Sequence, residues 1–131
     1  MCLVMLTSCG VPSSFEEATA EVTRFHEQFN ELQFDEIWKG ADAQFRQRTT
    51  YEEFLAFFEH ASQTCGRVNQ SKAFEYSIKT SGAKARLVVE MRTKFERADA
   101  IEEFVFEVYR GRVGLMTYNL RVNKSGLGQL Q

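Results

Sequence analysis

The chain has 131 residues, 44% of them hydrophobic and 26% charged, which suits one globular domain with a core of its own. Its formal net charge of -2 offers no basic surface for nucleic acid. The only apolar run without a charge, residues 1–11, is too short to cross a membrane as a helix. The chain also has 12 phenylalanines, whose large apolar rings must either fill a core or line a cavity.

The N-terminus predicts an export signal. Residues 6–9, Leu-Thr-Ser-Cys, resemble a bacterial lipobox, in which the cysteine thiol receives a diacylglycerol. Residues 1–9 are then a truncated lipoprotein signal peptide, and 10–14 are a short linker. Lipidated Cys9 would anchor the protein to the cell envelope, on the periplasmic side of the outer membrane in a two-membrane cell, because Gly10 is not the aspartate that retains such proteins. A frayed apolar N-terminus with a chance cysteine is the other interpretation.

Residues 15–65 have a helical period. Apolar side chains recur at spacings of three and four, which predicts three amphipathic helices. The stripes are Phe15, Ala18, Val22, Phe25, Phe29 and Leu32; Phe34, Ile37, Trp38 and Ala41; and Phe54, Leu55, Phe58, Ala61 and Cys65. Capping boxes at Ser13 or Ser14 and at Thr50 predict helix starts. Asp42 predicts the cap of a brief turn, and Gly66 predicts the end of the last helix.

After Gly66 the period changes to two, which predicts four strands in an antiparallel meander with one apolar and one charged face. The inward sets are Phe74, Tyr76 and Ile78; Ala85, Leu87, Val89, Met91, Thr93 and Phe95; Phe104, Phe106 and Val108; and Met116, Tyr118, Leu120 and Val122. The turns between them predict that Ile78 pairs with Ala85, Phe95 with Glu102 and Phe104 with Tyr118.

Helices followed by such a meander resemble the cystatin-like, or nuclear transport factor 2-like, superfamily, and in particular its small bacterial lipoproteins of unknown function. The segments that carry the resemblance are 25–30, 34–38, 45–46, 50–54, 104–111 and 118–120. It implies an α+β domain over residues 15–122, with helices packed on the concave face of a curved four-stranded sheet. Residues 123–131 would be a flexible tail. The superfamily includes isomerases, dehydratases, carriers and interaction modules, so the fold does not assign a function.

Two surfaces are candidates for binding. A cavity inside the cone would be lined by Trp38, Tyr76, Met91, Phe104, Phe106 and Tyr118, although the same rings could simply fill the core. The charged sheet face is interrupted by Val88, Val105 and Tyr109, which would lie at the centre of a surface for a partner or a second copy of the chain. A solvated face is the alternative there.

Catalytic chemistry has little support in the sequence. The inward strand positions hold neither Asp nor His. Glu102 has inward parity, but it is expected at the rim because it lies near a strand end. His26 lies on the flank of its helical stripe, where solvent exposure is expected. His26 and His60 lie on different helices without a ligand cluster, so no metal is predicted. Cys65 is expected to be a small buried hydrophobe.

The sequence therefore favours a non-enzymatic envelope lipoprotein that binds a small apolar ligand or a protein, with no cofactor and no nucleic acid. The alternative is an enzyme of the isomerase or dehydratase type. Tyr76 or Tyr118 would then donate a hydrogen bond, and His26 or Asp42 would act as the base.

Overall fold

The structure, a computed structural model, describes residues 11–123 and has the predicted α+β fold. The helices of this part are α1 (Val11–Asn30), α2 (Phe34–Gly40), α3 (Ala43–Arg48) and α4 (Tyr51–Cys65). The strands are β1 (Val68–Ser81), β2 (Lys84–Phe95), β3 (Asp99–Tyr109) and β4 (Arg112–Val122). They form one antiparallel sheet in the order β1-β2-β3-β4. The lipidation site predicted at Cys9 lies outside the described residues.

The predicted capping residues act at the later helix ends. Asp42 accepts a hydrogen bond from the backbone N–H of Gln44 at 2.9 Å and starts α3, a short helix where a brief turn was expected. Thr50 and Glu53 form the predicted capping box of α4. Gly66 ends α4 with a φ of 79°, a conformation that suits glycine.

The ends of α1 differ from the prediction. The helix already includes Val11, the first described residue, which lies inside the segment interpreted as a linker and before the predicted caps. Pro12 is compatible with the first turn of a helix, where backbone N–H groups have no intrahelical partners. At the other end the chain turns after Asn30, and Leu32 has a φ of 60°. Leu32 is consequently 63% exposed, and its predicted place in the apolar stripe is wrong.

The sheet keeps the predicted faces but not all of the predicted pairs. Ile78 lies opposite Leu87 rather than Ala85. The reason is that the tight turn opens at Gly82, which has a φ of 62°, and therefore lies one residue further along the chain than predicted. Glu102 lies opposite Met91 rather than Phe95. The pairing of Phe104 with Tyr118 is confirmed. Both displacements are by an even number of residues, so the side chains of these pairs stay on their predicted faces.

Strands β1 and β4 depart from simple alternation. In β4 the register against β3 shifts, since Val105 pairs with Thr117 and Phe106 with Leu115, which leaves Met116 as an extra residue. The register of β1 against β2 shifts between Ala73 and Glu75, so Phe74 is an extra residue in a β-bulge. Its ring is 39% exposed and lies 4.7 Å from the guanidinium carbon of Arg92. The prediction that Phe74 points inward is therefore wrong, because the bulge turns it towards the face of Arg92.

The core lies between the helices and one face of the sheet, which we call the inner face. Phe25 of α1 and Phe58 of α4 pack edge to face at 5.7 Å, and Phe25 packs perpendicular to Phe104 of β3 at 5.0 Å. All three are buried. The free edge of β4 is partly covered, since Asp42 donates its backbone N–H to the carbonyl of Leu115 at 2.9 Å.

Candidate functional site

A buried polar network crosses the core from α1 to the sheet. Glu102 of β3 is completely buried, and its Oε1 lies 2.7 Å from Nε2 of His26. Thr93 donates its hydroxyl to the same oxygen, and the hydroxyls of Ser71 and Thr93 are 2.7 Å apart. Tyr118 donates to Oε2 of Glu102 at 2.5 Å. Side chains of α1, β2 and β4 thus meet at the carboxyl group of Glu102 in β3.

Two expectations are overturned here. Glu102 is not at the rim: the observed register moves it along β2 from Phe95 to a position opposite Met91, and it has no exposed surface. His26 is not solvated, since only 9% of it is exposed. The flank of α1 that carries His26 faces the sheet, because α1 contacts both β1 and β3.

The network is closed. Both carboxyl oxygens of Glu102 have partners, and no buried side-chain nitrogen or oxygen in the described residues lacks one. Burial of the hydroxyl, and then the neighbouring Glu102 carboxylate, raise the pKa of Tyr118 well above its usual value. Neither Glu102 nor His26 lines any of four cavities along the described surface. The arrangement fastens α1 to the sheet and leaves no oxygen free for a substrate.

The residues predicted to line one cavity are divided among several places. Phe104 and Phe106 lie, with Phe25, in the lining of a cavity of about 330 Å³ between α1, α2 and the sheet. Tyr118 lines a different depression. Trp38 and Met91 pack in or against the core, and Tyr76 is 44% exposed with its ring 4.3 Å from that of Phe15. The predicted acid–base partner Asp42 caps α3 instead.

The depression that includes Tyr118 is the most apolar of these surfaces. It lies between α3, α4 and β4, has a volume of about 270 Å³, and we call it the α4–β4 groove. Its apolar lining consists of Phe45, Phe54, Phe57, Phe58, Met116 and Tyr118. The Tyr118 hydroxyl points to Glu102, so the ring alone contributes to the groove. Arg48, Thr49, Glu53 and Thr117 supply its polar lining.

The outer face of the sheet, which points away from the helices, carries the residues predicted for a partner surface. Val88 and Val105 lie directly opposite each other in β2 and β3 and are only half-buried. Tyr109 is 38% exposed, and Lys84 and Arg110 lie over its ring. Val88 and Val105 therefore form a small uncharged patch on this face, whereas Tyr109, predicted to lie with them at its centre, is the last residue of β3 and has charged neighbours.

Charges on the outer face are arranged in rows. Glu75, Glu90 and Glu103 lie side by side on β1, β2 and β3 and form what we call the acidic row. A hydrogen bond with the Glu75 carboxyl raises the pKa of Glu90, with burial and the charges of Glu75 and Glu103 adding to the effect. Lys79, Arg86 and Glu107 lie side by side on β1, β2 and β3 on the other side of Val88. The uncharged patch thus lies between the acidic row and a row of mixed sign.

Within residues 11–123, no group of three or more His, Cys, Asp or Glu side chains is placed to hold a metal ion. The same residues contain no helix with the length and apolar character that a membrane crossing requires. Cys65 is buried, and this burial raises the pKa of its thiol. Neither a protein-family model nor a curated protein matches this chain.

Proposed function

We propose that this protein is a non-enzymatic binding domain of the cell envelope that holds a small apolar ligand in the α4–β4 groove. The observation that supports this best is the groove lining, in which aromatic rings and Met116 surround a depression of about 270 Å³. Concave, mostly apolar surfaces with a few polar groups at the mouth are typical of small-molecule sites. An engineered cavity of roughly 150 Å³ in another protein accepts benzene, so this groove suits one ring or a medium-length alkyl chain.

The closed network supports a binding role over catalysis. A general base must come within hydrogen-bond reach of a substrate proton. Glu102 is fully buried, and its oxygens already accept from Thr93 and Tyr118 beside His26. Incubation with cyclohexanone in D₂O tests the isomerase alternative through loss of the α-proton NMR signals. Exchange faster than buffer alone, abolished by Glu102→Gln, would reverse this assignment.

Ligand binding is measurable through the single tryptophan of the chain. The ring of Trp38 lies 5.1 Å from that of Phe54 and 6.3 Å from that of Phe45, and both phenylalanines line the groove. Titration with 1-octanol is expected to change the Trp38 fluorescence saturably. A linear, unsaturable response would contradict the proposal.

A matched pair of variants on α4 locates the binding site. Phe57→Asp places a carboxylate in the groove lining, and we expect 1-octanol to bind at least about tenfold more weakly because the charge loses hydration there. Leu55→Asp makes the same change at another half-buried position of α4, outside the groove, and serves as the control. If both variants lose the same affinity for 1-octanol, the effect is a general loss of stability rather than a change in the groove.

The outer face supports a second candidate, self-association. If two copies pack face to face about a two-fold axis along Val88 and Val105, Glu90 of one copy lies over Arg86 of the other. Glu75 then faces Lys79 in the same way, whereas Glu103 faces Glu107, a contact between like charges. Light scattering after size exclusion should detect a dimer that Val105→Lys dissociates. Leu32→Lys, at a 63% exposed position, is the control, and a monomeric parent protein would exclude this candidate.

The envelope location depends on the lipidation proposed for Cys9. Expression in a bacterial host should yield membrane-extracted protein that begins at Cys9 and carries a diacylglycerol, as detected by mass spectrometry. The Cys9→Ala variant should not acquire the lipid. Recovery of the parent protein with Cys9 unmodified would remove the anchor and leave the groove proposal intact.

A further inference from the structure

The mouth of the α4–β4 groove carries a cation that forms no ion pair within the described residues. Arg48, the last residue of α3, is exposed, and its one side-chain hydrogen bond in the described residues is a long contact of 3.4 Å to the Thr117 hydroxyl. It takes part in none of the ion pairs of that region. The guanidinium is therefore available to a partner outside the chain.

The neighbouring Arg46 shows what a structural arginine on the same helix looks like. Its Nη1 donates to the carbonyl of Ala41 at 2.6 Å, and to those of Trp38 and Lys39 at 3.2 and 3.3 Å. These contacts satisfy carbonyls at the C-terminal end of α2. Arg48 makes no comparable contact; as a basic residue in the last turn of α3 it interacts favourably with the helix dipole, but its guanidinium satisfies none of these carbonyls.

The one acidic side chain in the groove lining is already engaged. Glu53 accepts from the Thr49 hydroxyl at 3.2 Å and from the backbone N–H of Thr50 at 3.5 Å in the α4 capping box. It does not come within ion-pair distance of Arg48. The groove thus combines an apolar floor with one positive group that forms no ion pair, while the Glu53 carboxylate in the same lining is held by the α4 cap.

We infer that the ligand of the α4–β4 groove is a monocarboxylate with an aromatic ring or a medium-length alkyl chain, whose carboxylate pairs with Arg48. This inference depends on the proposed function, since it names the ligand class of the same groove. A guanidinium matches a carboxylate with two parallel hydrogen bonds, which lysine cannot provide. The volume of about 270 Å³ holds the apolar body and leaves the head group at the mouth.

Octanoate and 1-octanol form a matched probe pair, titrated separately against Trp38 fluorescence below micelle-forming concentrations. We expect octanoate to bind the parent protein about five- to tenfold more tightly, with an affinity that falls as NaCl rises. Arg48→Gln should remove this advantage and the salt dependence while leaving 1-octanol binding unchanged. Arg112→Gln, an exposed arginine outside the groove, is the control. Unchanged thermal unfolding of Arg48→Gln would show that the variant folds.

The outcomes separate the two proposals. Equal binding of both probes, unaffected by Arg48→Gln, would overturn the carboxylate inference and leave the apolar-ligand function standing. Failure of both probes to bind would overturn the groove function, and the carboxylate inference with it. If Arg48→Gln folds normally but binds neither octanoate nor 1-octanol, the inference is also overturned. The arginine would then shape the groove rather than recognise the charge of the ligand.

Discussion

Removal of one hydroxyl group tests how the buried network stabilises the fold. In Tyr118→Phe, Oε2 of Glu102 loses its hydrogen-bond donor while remaining fully buried. Hydrogen bonds to charged groups contribute about 1.5–3 kcal/mol, and an unsatisfied buried acceptor retains its desolvation cost. We therefore expect unfolding to require about 2 kcal/mol less free energy. For a chain of this size that lowers Tm by roughly 6–10 °C.

The control is Tyr76→Phe, which makes the same chemical change on the same sheet at a side chain that is 44% exposed. It should change the free energy of unfolding by less than about 0.5 kcal/mol. Urea unfolding followed by circular dichroism gives both values, provided that the m-value stays constant. If Tyr118→Phe costs no more than Tyr76→Phe, the network does not contribute the stability assigned to it.

Alkaline pH provides an independent readout of the same hydroxyl. Burial raises the pKa of Tyr118 in the folded protein, whereas an unfolded chain releases that proton near pH 10. Above that pH the unfolded state binds fewer protons, so the folded state loses stability by about 1.4 kcal/mol per pH unit until Tyr118 itself titrates. Tyr118→Phe should lack this component. Parallel stability profiles of the two proteins between pH 9.5 and pH 11, with equal slopes against pH, would contradict the burial of the hydroxyl.

Two smaller changes test the local structure by thermal unfolding. Gly114→Ala should destabilise the protein by about 1 kcal/mol, because the new Cβ would lie 3.1 Å from a carboxylate oxygen of Asp42 and disturb the α3 cap. Gly40→Ala, with open space around it, should be neutral or stabilising, and a reversed order would refute the assigned contact. Thr50→Ala should cost about 1 kcal/mol by removing the α4 capping box, and an unchanged Tm would show that the cap contributes nothing.

The candidate site was only partly predictable. Alternation correctly assigned Glu102 and Tyr118 to the inner face, because side-chain direction in a strand depends only on parity. The depth of Glu102 was missed, since depth depends on the hairpin register, and the turn between β2 and β3 allowed several registers of the same parity. The burial of His26 was missed for a related reason. A flank position on a helix becomes buried only if another element covers it, and here the sheet does.

The sequence by itself determined the elements, their order and the faces they present, because helix caps, turn residues and apolar periodicity act over a few neighbouring residues. It did not determine which side chains meet. The contact between His26 and Glu102 joins residues 76 positions apart, and the groove combines Phe54 and Met116 from different elements. Such contacts arise from the register of the hairpins and the docking of α1 and α4 on the sheet. Only the tertiary structure decided these, since they follow from long-range packing rather than from local preference.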